Sequence, residues 1–368
     1  MAIRFLHAAD LHLDSPFDGL PPELAARRRK EQREILPRLV RLVQKHRCQA
    51  MLLPGDLFDG ERVYPETVEA VETMLRTCGV PVFIAPGNHD FYRPGGIYDR
   101  LRLPENVHLF RENRITCVEE PALNLRVWGA AFTDSVCPPM LATFSPPEKR
   151  PGVTDVLCIH GTVGREGIYN PMTEAQLAGC GMDYVAMGHS HECSGLKKAG
   201  TVTYLWPGVP MARGYDETGV KGVVLVDVAP GAEAEAQFAA LGGRQYYNLT
   251  VDVTGKDPLS AVQQAAETVT AQDFLRVTLT GTAEELPVVS TVQNWVDSNC
   301  FRGEVISRVT QSRSVWSRKE EPTLRGLFLR KLWAQWQQAA PQERERIEQA
   351  ARWGLAALDG GEEVQSQW

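Results

Sequence analysis

The stretch Val80-Pro81-Val82-Phe83-Ile84-Ala85-Pro86-Gly87-Asn88-His89-Asp90 is apolar at its start and polar at its end. The apolar run Val80 to Ala85 has the length and composition of a buried β-strand. An amide, an imidazole and a carboxylate then follow within three residues, Asn88 to Asp90. Asn and Asp are common in ordinary turns, but a histidine between them is harder to explain as a turn alone. We therefore interpret this stretch as a strand that ends in a functional loop.

The same arrangement recurs along the first ~230 residues. Apolar runs that predict strands are Ile3 to Ala9, Ala50 to Pro54, Val156 to Ile159 and Tyr184 to Met187. Helix-like segments separate them, so the pattern predicts a layered α/β domain. In open α/β sheets the loops at the carboxyl ends of strands collect the ligand groups. The polar residues after these strands should therefore lie close together.

The residue types that follow these strands are those that bind divalent metal ions. Period-two alternation would place Asp10 and His12 on one side of an extended chain, and Gly55 permits a tight turn before Asp56. Each cluster alone could be an ordinary polar turn. Five of the eight histidines nevertheless fall at strand ends, which favours a metal centre. The candidate ligands are therefore those five histidines, His12, His89, His160, His189 and His191, together with Asp10, Asp56 and Asn88.

The donor types restrict the choice of metal. Oxygen and imidazole donors without thiolate suit Mn²⁺, Fe²⁺ or Zn²⁺, and the carboxylate, amide and histidine mixture is natural for Mn²⁺. The eight cysteines form no CxxC pair, so they indicate neither a zinc ribbon nor a disulfide framework. We predict bound divalent metal, with Mn²⁺ favoured and Fe²⁺, Zn²⁺ or a mixture as alternatives.

The ordered motifs D-x-H, G-D, G-N-H-D, H and G-H-x-H resemble those of the calcineurin-like metallophosphoesterase superfamily over roughly residues 1 to 230. Asp10 to Phe17, Gly55 to Asp59 and Pro207-Gly208 followed by Lys221-Gly222 further resemble the SbcD-type DNA repair exonucleases, in particular their YhaO-like branch. The resemblance implies a mixed α/β fold, a β-sandwich flanked by helices, followed by a small α+β cap domain and a C-terminal helical hairpin.

The resemblance also implies a role for each site residue. Asp56 would bridge the two ions, with Asp10, His12 and His191 completing one site and Asn88, His160 and His189 the other. His89 would contact the scissile phosphate and help protonate the leaving oxygen, while Asp90 would orient its ring. Two such ions lower the pKa of a bridging water and neutralise charge on the phosphate.

Other charged residues near these motifs are ambiguous. Several archaeal and eukaryotic relatives carry histidine where this chain has Asp59, which is then either a carboxylate that supports a ligand or a turn residue, and we favour the turn. Arg93 is a candidate phosphate contact because it follows the Asn88 to Asp90 turn. The run from Arg27 to Lys30 could contact DNA, but a solvated helix face is the better explanation.

The remainder of the chain predicts two smaller parts. The small-residue stretch Ala229 to Ala236 suggests a boundary. Beyond it, Asp257-Pro258 has the composition of a helix start. Strand candidates are Leu249 to Val253, Leu275 to Thr280 and Val305 to Thr310. The predicted domains are 1–232 (phosphoesterase), 244–315 (α+β cap) and 322–358 (helical hairpin, candidate ATPase-docking element).

The tail carries Leu329, Leu332, Trp333 and Trp336 at helical spacing, and Pro341 restarts a helix. Its apolar faces either pack on each other and on the body, or dock on a partner helix. In the SbcD-type family the equivalent element docks on an SbcC-like coiled-coil ATPase, and homodimers are usual. We therefore expect DNA, such an ATPase and a second copy of the chain as candidate partners.

Composition limits the functional classes. The first apolar run turns polar by His7 and Asp10, and no stretch approaches the ~20 apolar residues of a membrane span, so we expect a soluble cytoplasmic protein without membrane contact. The net charge of −7 does not favour DNA binding by itself. We predict a two-metal DNA exonuclease or endonuclease of DNA repair. The alternatives are a small-molecule phosphodiesterase or phosphatase and a non-catalytic assembly module.

Overall fold

The computed structural model describes residues 2–164, 166–283, 286–311 and 314–358. The chain forms two compact units, Met1–Tyr246 and Tyr247–Trp368. The first unit is built on two six-stranded sheets, and the second contains a small sheet and the C-terminal helices. The predicted mixed α/β class is confirmed.

The first sheet has the order β14-β13-β1-β2-β3-β4. Neighbours among β1 to β4 run parallel, whereas β13 pairs antiparallel with both β1 and β14. Its strands are β1 (Ile3–His7), β2 (Ala50–Leu53), β3 (Val82–Ile84), β4 (Val107–Leu109), β13 (Gly222–Val228) and β14 (Glu235–Ala240).

The small-residue stretch Ala229 to Ala236 is not a boundary between folded units. It forms the turn after β13 and the start of β14, in which Ala236 pairs with Val226. Small residues suit the tight turn and do not prevent pairing at the edge of a sheet. The first unit consequently continues to Tyr246.

The second sheet has the order β11-β12-β10-β7-β6-β5. Its central neighbours β6, β7, β10 and β12 run parallel, and an antiparallel strand closes each edge. Its strands are β5 (Thr116–Glu120), β6 (Leu125–Gly129), β7 (Thr154–His160), β10 (Tyr184–Gly188), β11 (Lys197–Ala199) and β12 (Val202–Leu205). A short parallel pair, β8 (Thr162–Val163) and β9 (Pro171–Met172), follows β7.

The two sheets pack face to face because their strands alternate between two buried faces. Phe5 and Leu52 from the first sheet share one core with Val156 and Tyr184 from the second. The intervening residues, such as Leu6, contact the flanking helices instead. Period-two alternation with both faces buried therefore produces a sandwich covered by helices.

The helices of the first unit cover the outer faces of the sandwich. On α2, Leu36, Leu39, Val40 and Val43 recur at helical spacing and are all buried. The helices are α1 (Pro22–Arg33), α2 (Ile35–His46), α3 (Pro65–Thr77), α4 (Ile97–Arg100) and α5 (Glu174–Gly179). Within α1, Arg28 is fully buried, so the expectation of a solvated basic face is wrong for this residue.

The second unit contains a three-stranded sheet of order β15-β16-β18. Asp257 caps α6 by accepting a hydrogen bond from the backbone N–H of Ser260, which confirms the predicted helix start. The elements are β15 (Tyr246–Asp252), α6 (Pro258–Ala265), β16 (Phe274–Thr280), β17 (Thr282–Ala283), α7 (Val289–Asn299), β18 (Arg302–Ser307) and β19 (Thr310–Gln311).

Two C-terminal helices complete the second unit, α8 (Leu324–Gln338) and α9 (Pro341–Leu358). Leu329 of α8 and Ala351 of α9 are buried in one cluster with Trp316, and the rings of Trp333 and Trp336 stack within it. The helices thus pack their apolar faces on each other. Over the residues that the structure describes, no helix is both long and apolar enough to cross a membrane.

Candidate metal centre

The seven predicted ligands come together where strands of both sheets end. Asp10 and His12 follow β1, Asp56 follows β2 and Asn88 follows β3 in the first sheet. His160 ends β7 in the second sheet, and His189 and His191 follow β10. The centre is therefore assembled from the carboxyl ends of five parallel strands in two sheets.

Asp10, His12 and His191 form what we call the first ligand cluster. The Nε2 atoms of His12 and His191 lie 3.2 Å apart. One ligand atom from each of the three residues falls within 4.8 Å of the others. This spacing is compatible with a single ion held by two imidazoles and a carboxylate.

Asn88, His160 and His189 form the second ligand cluster. The Oδ1 atom of Asn88 lies 2.9 Å from Nε2 of His160 and 3.2 Å from Nδ1 of His189. Those two nitrogens are themselves 3.2 Å apart. An amide oxygen and two imidazole nitrogens thus face one point.

Asp56 lies between the two clusters. Its Oδ2 atom is 3.7 Å from Nε2 of His12 and 3.5 Å from Nε2 of His160. Its other oxygen accepts a hydrogen bond of 2.9 Å from the backbone N–H of His89. One oxygen of this carboxylate therefore faces both clusters, as a bridging ligand requires.

Several ligand residues have an unusual backbone conformation. Asp10, His12, Asp56 and His189 all have positive φ angles, of 54°, 44°, 52° and 102°. Such angles cost energy for residues other than glycine and tend to occur at functional sites. The period-two argument for Asp10 and His12 is therefore wrong: β1 ends at His7, and the loop beyond it is left-handed and pairs with the loop after β2.

Glycines in the motifs make room for ligands. A Cβ atom on Gly87 would lie 2.2 Å from Oδ1 of Asp56, and one on Gly188 would lie 1.7 Å from the carbonyl oxygen of Pro54. Both distances are far below van der Waals contact. Gly87 therefore allows the loop after β3 to approach Asp56, and Gly188 allows the second sheet to approach the loop after β2.

Acceptors on the rear nitrogens of three histidines orient their rings. Nδ1 of His12 lies 2.8 Å from Asp59, Nδ1 of His160 lies 3.1 Å from the carbonyl oxygen of Pro54, and Nδ1 of His191 lies 2.9 Å from Glu217. Each acceptor favours a proton on Nδ1 and leaves the Nε2 lone pair for a metal ion. Asp59 thus supports a ligand, so the turn-residue interpretation is wrong.

Arg213 and Glu217 are functional candidates that the sequence analysis missed. Arg213 donates hydrogen bonds to Asp59 (Nη1, 3.1 Å) and to Glu217 (Nη2, 2.7 Å). Burial would raise the pKa of Glu217, but its hydrogen bonds to His191 and Arg213 prevail and lower it to about 2. Their signal in the sequence is an opposite-charge pair four residues apart, which is common on surfaces.

The electrostatics of the centre fit divalent cations. Burial raises the pKa of Asp10 well above its usual range and that of Asp56 to about 6. Burial also lowers the pKa of His160 to about 4 and that of His189 to about 3. The rings of His160 and His189 are therefore neutral donors, and the crowded carboxylates of Asp10 and Asp56 need positive charge to ionise together.

His89 and Asp90 are adjacent in the chain but lie in different surroundings, which give them different roles. The His89 side chain is 43% exposed, and its ring lies 4.7 Å from that of His12. Asp90 is buried, and its oxygens accept hydrogen bonds from the backbone N–H groups of Gly87 and Phe58 and from the Tyr98 hydroxyl. The prediction that Asp90 orients the His89 ring is therefore wrong, since Asp90 anchors the loops instead.

Arg93 lies at the protein surface and pairs with Glu61. Two clefts lie at or beside the centre. One, of about 560 Å³, is lined by His189, His191 and Trp206. The other, of about 320 Å³, is lined by His89, Arg213 and Asp59, among others. The first cleft thus exposes two ligand residues, and the second exposes His89 beside the centre.

Comparison with known proteins agrees with this geometry. Residues 3–193 match the family model described as calcineurin-like phosphoesterase. The chain is similar to the uncharacterized metallophosphoesterase YhaO of Bacillus subtilis (strain 168), with 31% identity over 72% of this chain and 67% of the relative. It is also similar to the SbcD subunit of the nuclease SbcCD from the same organism, with 24% identity over 65% of this chain and 70% of the relative.

Among solved structures, the chain also matches a dimetal phosphatase from Danio rerio. The identity is 13% and the TM-score is 0.40, over 64% of this chain and 98% of the other.

Proposed function

Since the chain belongs to the calcineurin-like phosphoesterase family, we propose that this metal-dependent phosphoesterase hydrolyses the phosphodiester backbone of DNA in DNA repair. The observation that carries the proposal is the position of Asp56 between two ligand clusters, beside an exposed His89. The similarity to the SbcD subunit of the nuclease SbcCD supports DNA as the substrate.

The residues of the centre have distinct tasks in this proposal. The first cluster and Asp56 would hold one ion, and the second cluster and Asp56 would hold the other. When bound, the two ions supply positive charge to the phosphate and make a water molecule nucleophilic at neutral pH. Mn²⁺ suits the carboxylate, amide and imidazole donors best, with Fe²⁺ and Zn²⁺ as alternatives.

His89 would act on the substrate rather than hold metal. Its ring is accessible from the cleft of about 320 Å³, and its Nδ1 atom lies 3.7 Å from Asp59, which leaves it without a tight partner on that side. An imidazole so placed can contact the scissile phosphate and give a proton to the leaving oxygen. Arg93 remains a candidate for binding the DNA backbone farther from the centre.

The parts beyond the centre would provide selection and assembly. We assign residues 244–315 to a cap that selects DNA and 322–358 to an element that docks on an SbcC-like coiled-coil ATPase. Leu324, Leu327 and Trp353 of this element are exposed hydrophobic residues, and these could meet an apolar helix. A homodimer is part of the same proposal.

The test is cleavage of end-labelled linear duplex DNA by the purified protein with Mn²⁺. We expect cleavage by the wild type, none with a chelator, and loss of cleavage in Asp56→Ala, because the residue between the two clusters is removed. Asp227→Asn, in a surface ion pair with Arg4, is the matched control and should cleave normally. Intact DNA with the wild type, or normal cleavage by Asp56→Ala, would refute the proposal.

A small-molecule phosphodiesterase or phosphatase is the second candidate. The cleft volumes of about 560 and 320 Å³ fall in the range that holds a single small ligand, and the net charge of −7 does not attract DNA. A higher kcat/KM on nucleotides or aryl phosphates than on any polynucleotide would select this candidate. The non-catalytic assembly module is disfavoured because the centre keeps all seven predicted ligands.

A further inference from the structure

An ion-pair network lies behind the first ligand cluster. Glu217 binds Nδ1 of His191 at 2.9 Å, Asp59 binds Nδ1 of His12 at 2.8 Å, and Arg213 joins the two carboxylates. Both histidines of that cluster are thus held from behind by carboxylates that share one guanidinium. We call Asp59, Arg213 and Glu217 the rear network.

The second ligand cluster is supported differently. Nδ1 of His160 lies against the carbonyl oxygen of Pro54, a backbone group at the end of β2. His189 presents Nδ1 toward Asn88, so that nitrogen is the one available to an ion. The nearest acceptor behind His160 is therefore a backbone carbonyl, whereas carboxylates lie 2.8 and 2.9 Å behind His12 and His191, and the two halves of the centre differ in how their rings are held.

The rear network is itself braced by the body of the first unit. The buried Arg28 side chain donates a hydrogen bond of 2.7 Å to the carbonyl oxygen of Ala212, and the Tyr246 hydroxyl donates one of 3.1 Å to that of Arg213. Glu217 also accepts a 2.7 Å hydrogen bond from the backbone N–H of Arg213. The segment from Ala212 to Glu217 is therefore held through its backbone as well as through its side chains.

The contact between Arg213 and His191 depends on which ring nitrogen of His191 carries the proton. Nη2 of Arg213 lies 3.1 Å from Nδ1 of His191, and Glu217 lies 2.9 Å from the same nitrogen. If Arg213 donated to Nδ1, the proton of a neutral imidazole would be on Nε2 and would block an ion. If Nδ1 donates to Glu217, Nε2 is free. The second arrangement is the one compatible with a metal ligand.

We propose that Glu217, held in place by Arg213, is a positioning residue that sets the affinity of one of the two ions, the one bound by the first ligand cluster, without affecting the other. The inference rests on the proposed function only in that the two clusters bind metal. Residues that support metal-ligating histidines typically change metal affinity by about 10- to 100-fold when they are replaced.

The test is a Mn²⁺ titration of the metal-free protein, followed by calorimetry and by the electron paramagnetic resonance signal of the bound ions. Wild type should bind two ions per chain and show a coupled pair. Glu217→Gln, which keeps the side-chain shape, should bind one ion normally and the other ~10- to 100-fold more weakly, with an isolated Mn²⁺ signal at intermediate concentration. Glu119→Gln, from the exposed pair with Arg150, is the matched control.

Double variants show which ion is affected. Glu217→Gln should add little to His12→Ala, because both act on the same ion, but should add its full effect to Asn88→Ala. Circular dichroism reports whether each variant folds. If Glu217→Gln does not fold, Arg213→Gln serves in its place and should weaken the same ion.

Two results would overturn the inference: wild-type binding of both ions by Glu217→Gln and Arg213→Gln, or equal weakening of both ions in a folded variant. The outcome is separate from that of the DNA assay. A wild type that binds two ions but leaves DNA intact would refute DNA as substrate and leave this inference standing. Normal DNA cleavage by the wild type, together with unaltered Mn²⁺ binding in Glu217→Gln, would refute this inference and leave DNA as the substrate.

Discussion

The Oδ1 atom of Asp59 lies 2.8 Å from Nδ1 of His12. The His12 side chain is fully buried and Asp59 is mostly buried, so solvent competes little for this contact. An ionised hydrogen-bond acceptor at Nδ1 makes the Nε2 lone pair, on the opposite side of the ring, a stronger metal ligand. Asp59, at the end of the Gly55 to Asp59 turn, thus orients the ring of His12, a candidate ligand in the loop after β1.

Asp59→Ala is expected to weaken binding of one Mn²⁺ ion by ~10- to 100-fold, because the His12 ring loses its acceptor. Asp59→Asn keeps an acceptor oxygen without the charge and should lose less. Calorimetric titration of the metal-free proteins measures both effects. Equal affinities in wild type and Asp59→Ala would show that Asp59 only shapes the turn.

His89→Ala is expected to retain two Mn²⁺ ions per chain while kcat falls by ~10²- to 10⁴-fold, the usual contribution of general acid catalysis. Metal analysis and steady-state kinetics on the same preparation check this. His46→Ala, at the end of α2, is the control. Because His89 also lies close to His12 and Asp56, loss of an ion in His89→Ala would identify it as a ligand instead.

Gly188→Ala is expected to disrupt the second ligand cluster. Its Cβ would meet the carbonyl oxygen of Pro54 at 1.7 Å and Nδ1 of His160 at 2.8 Å, so β10 or the Pro54 loop must shift. We expect a loss of at least ~1–3 kcal/mol in the free energy of unfolding, measured with denaturant, and weaker binding of one Mn²⁺ ion. Gly179→Ala, which has open space around it, should be neutral. Wild-type stability and metal binding in Gly188→Ala would contradict the close approach.

Metal binding is expected to release more protons at pH 6 than at pH 8. The pKa of Asp56 is raised to about 6 by burial, so in the metal-free protein this carboxyl is partly protonated at pH 6 and ionised at pH 8. An ion requires the carboxylate, so its proton must leave. The pKa values of His160 and His189, about 4 and 3, mean that these rings release none.

Calorimetry of Mn²⁺ binding in buffers of different ionisation enthalpy counts these protons at each pH. In Asp56→Asn, the difference between pH 6 and pH 8 should shrink. Equal proton release by the wild type at both pH values would contradict the raised pKa.

The convergence of the ligands was predictable because it follows from local pattern and a general rule. Apolar runs ending in Asp56, Asn88 and His160 could be recognised as strands, and parallel strands bring their carboxyl ends to one edge of a sheet. The sandwich followed from the resemblance. Both predictions depend on information that lies within a few residues of each motif.

The supporting residues were not predictable because their partners are distant in the chain. Arg213 contacts Asp59 across 154 positions, and a charged pair four residues apart carries no sign of that contact. The left-handed conformation of Asp10 was also hidden, since steric preference favours other conformations for any residue but glycine. Asp90 has the right spacing to reach its neighbour His89, and only the buried Tyr98 hydroxyl and the two backbone N–H groups explain why it turns away.

The centre draws its ligands from both sheets, and this makes it sensitive to how the sheets are aligned. Asp56 belongs to one sheet and His160 to the other, and the core between them is closed by contacts such as that of His7 with the Tyr184 hydroxyl, 2.8 Å long. A substitution in that core which slides one layer by a fraction of an ångström would separate ligands within each cluster, because both clusters draw residues from both sheets. We therefore expect some substitutions far from any ligand to weaken metal binding.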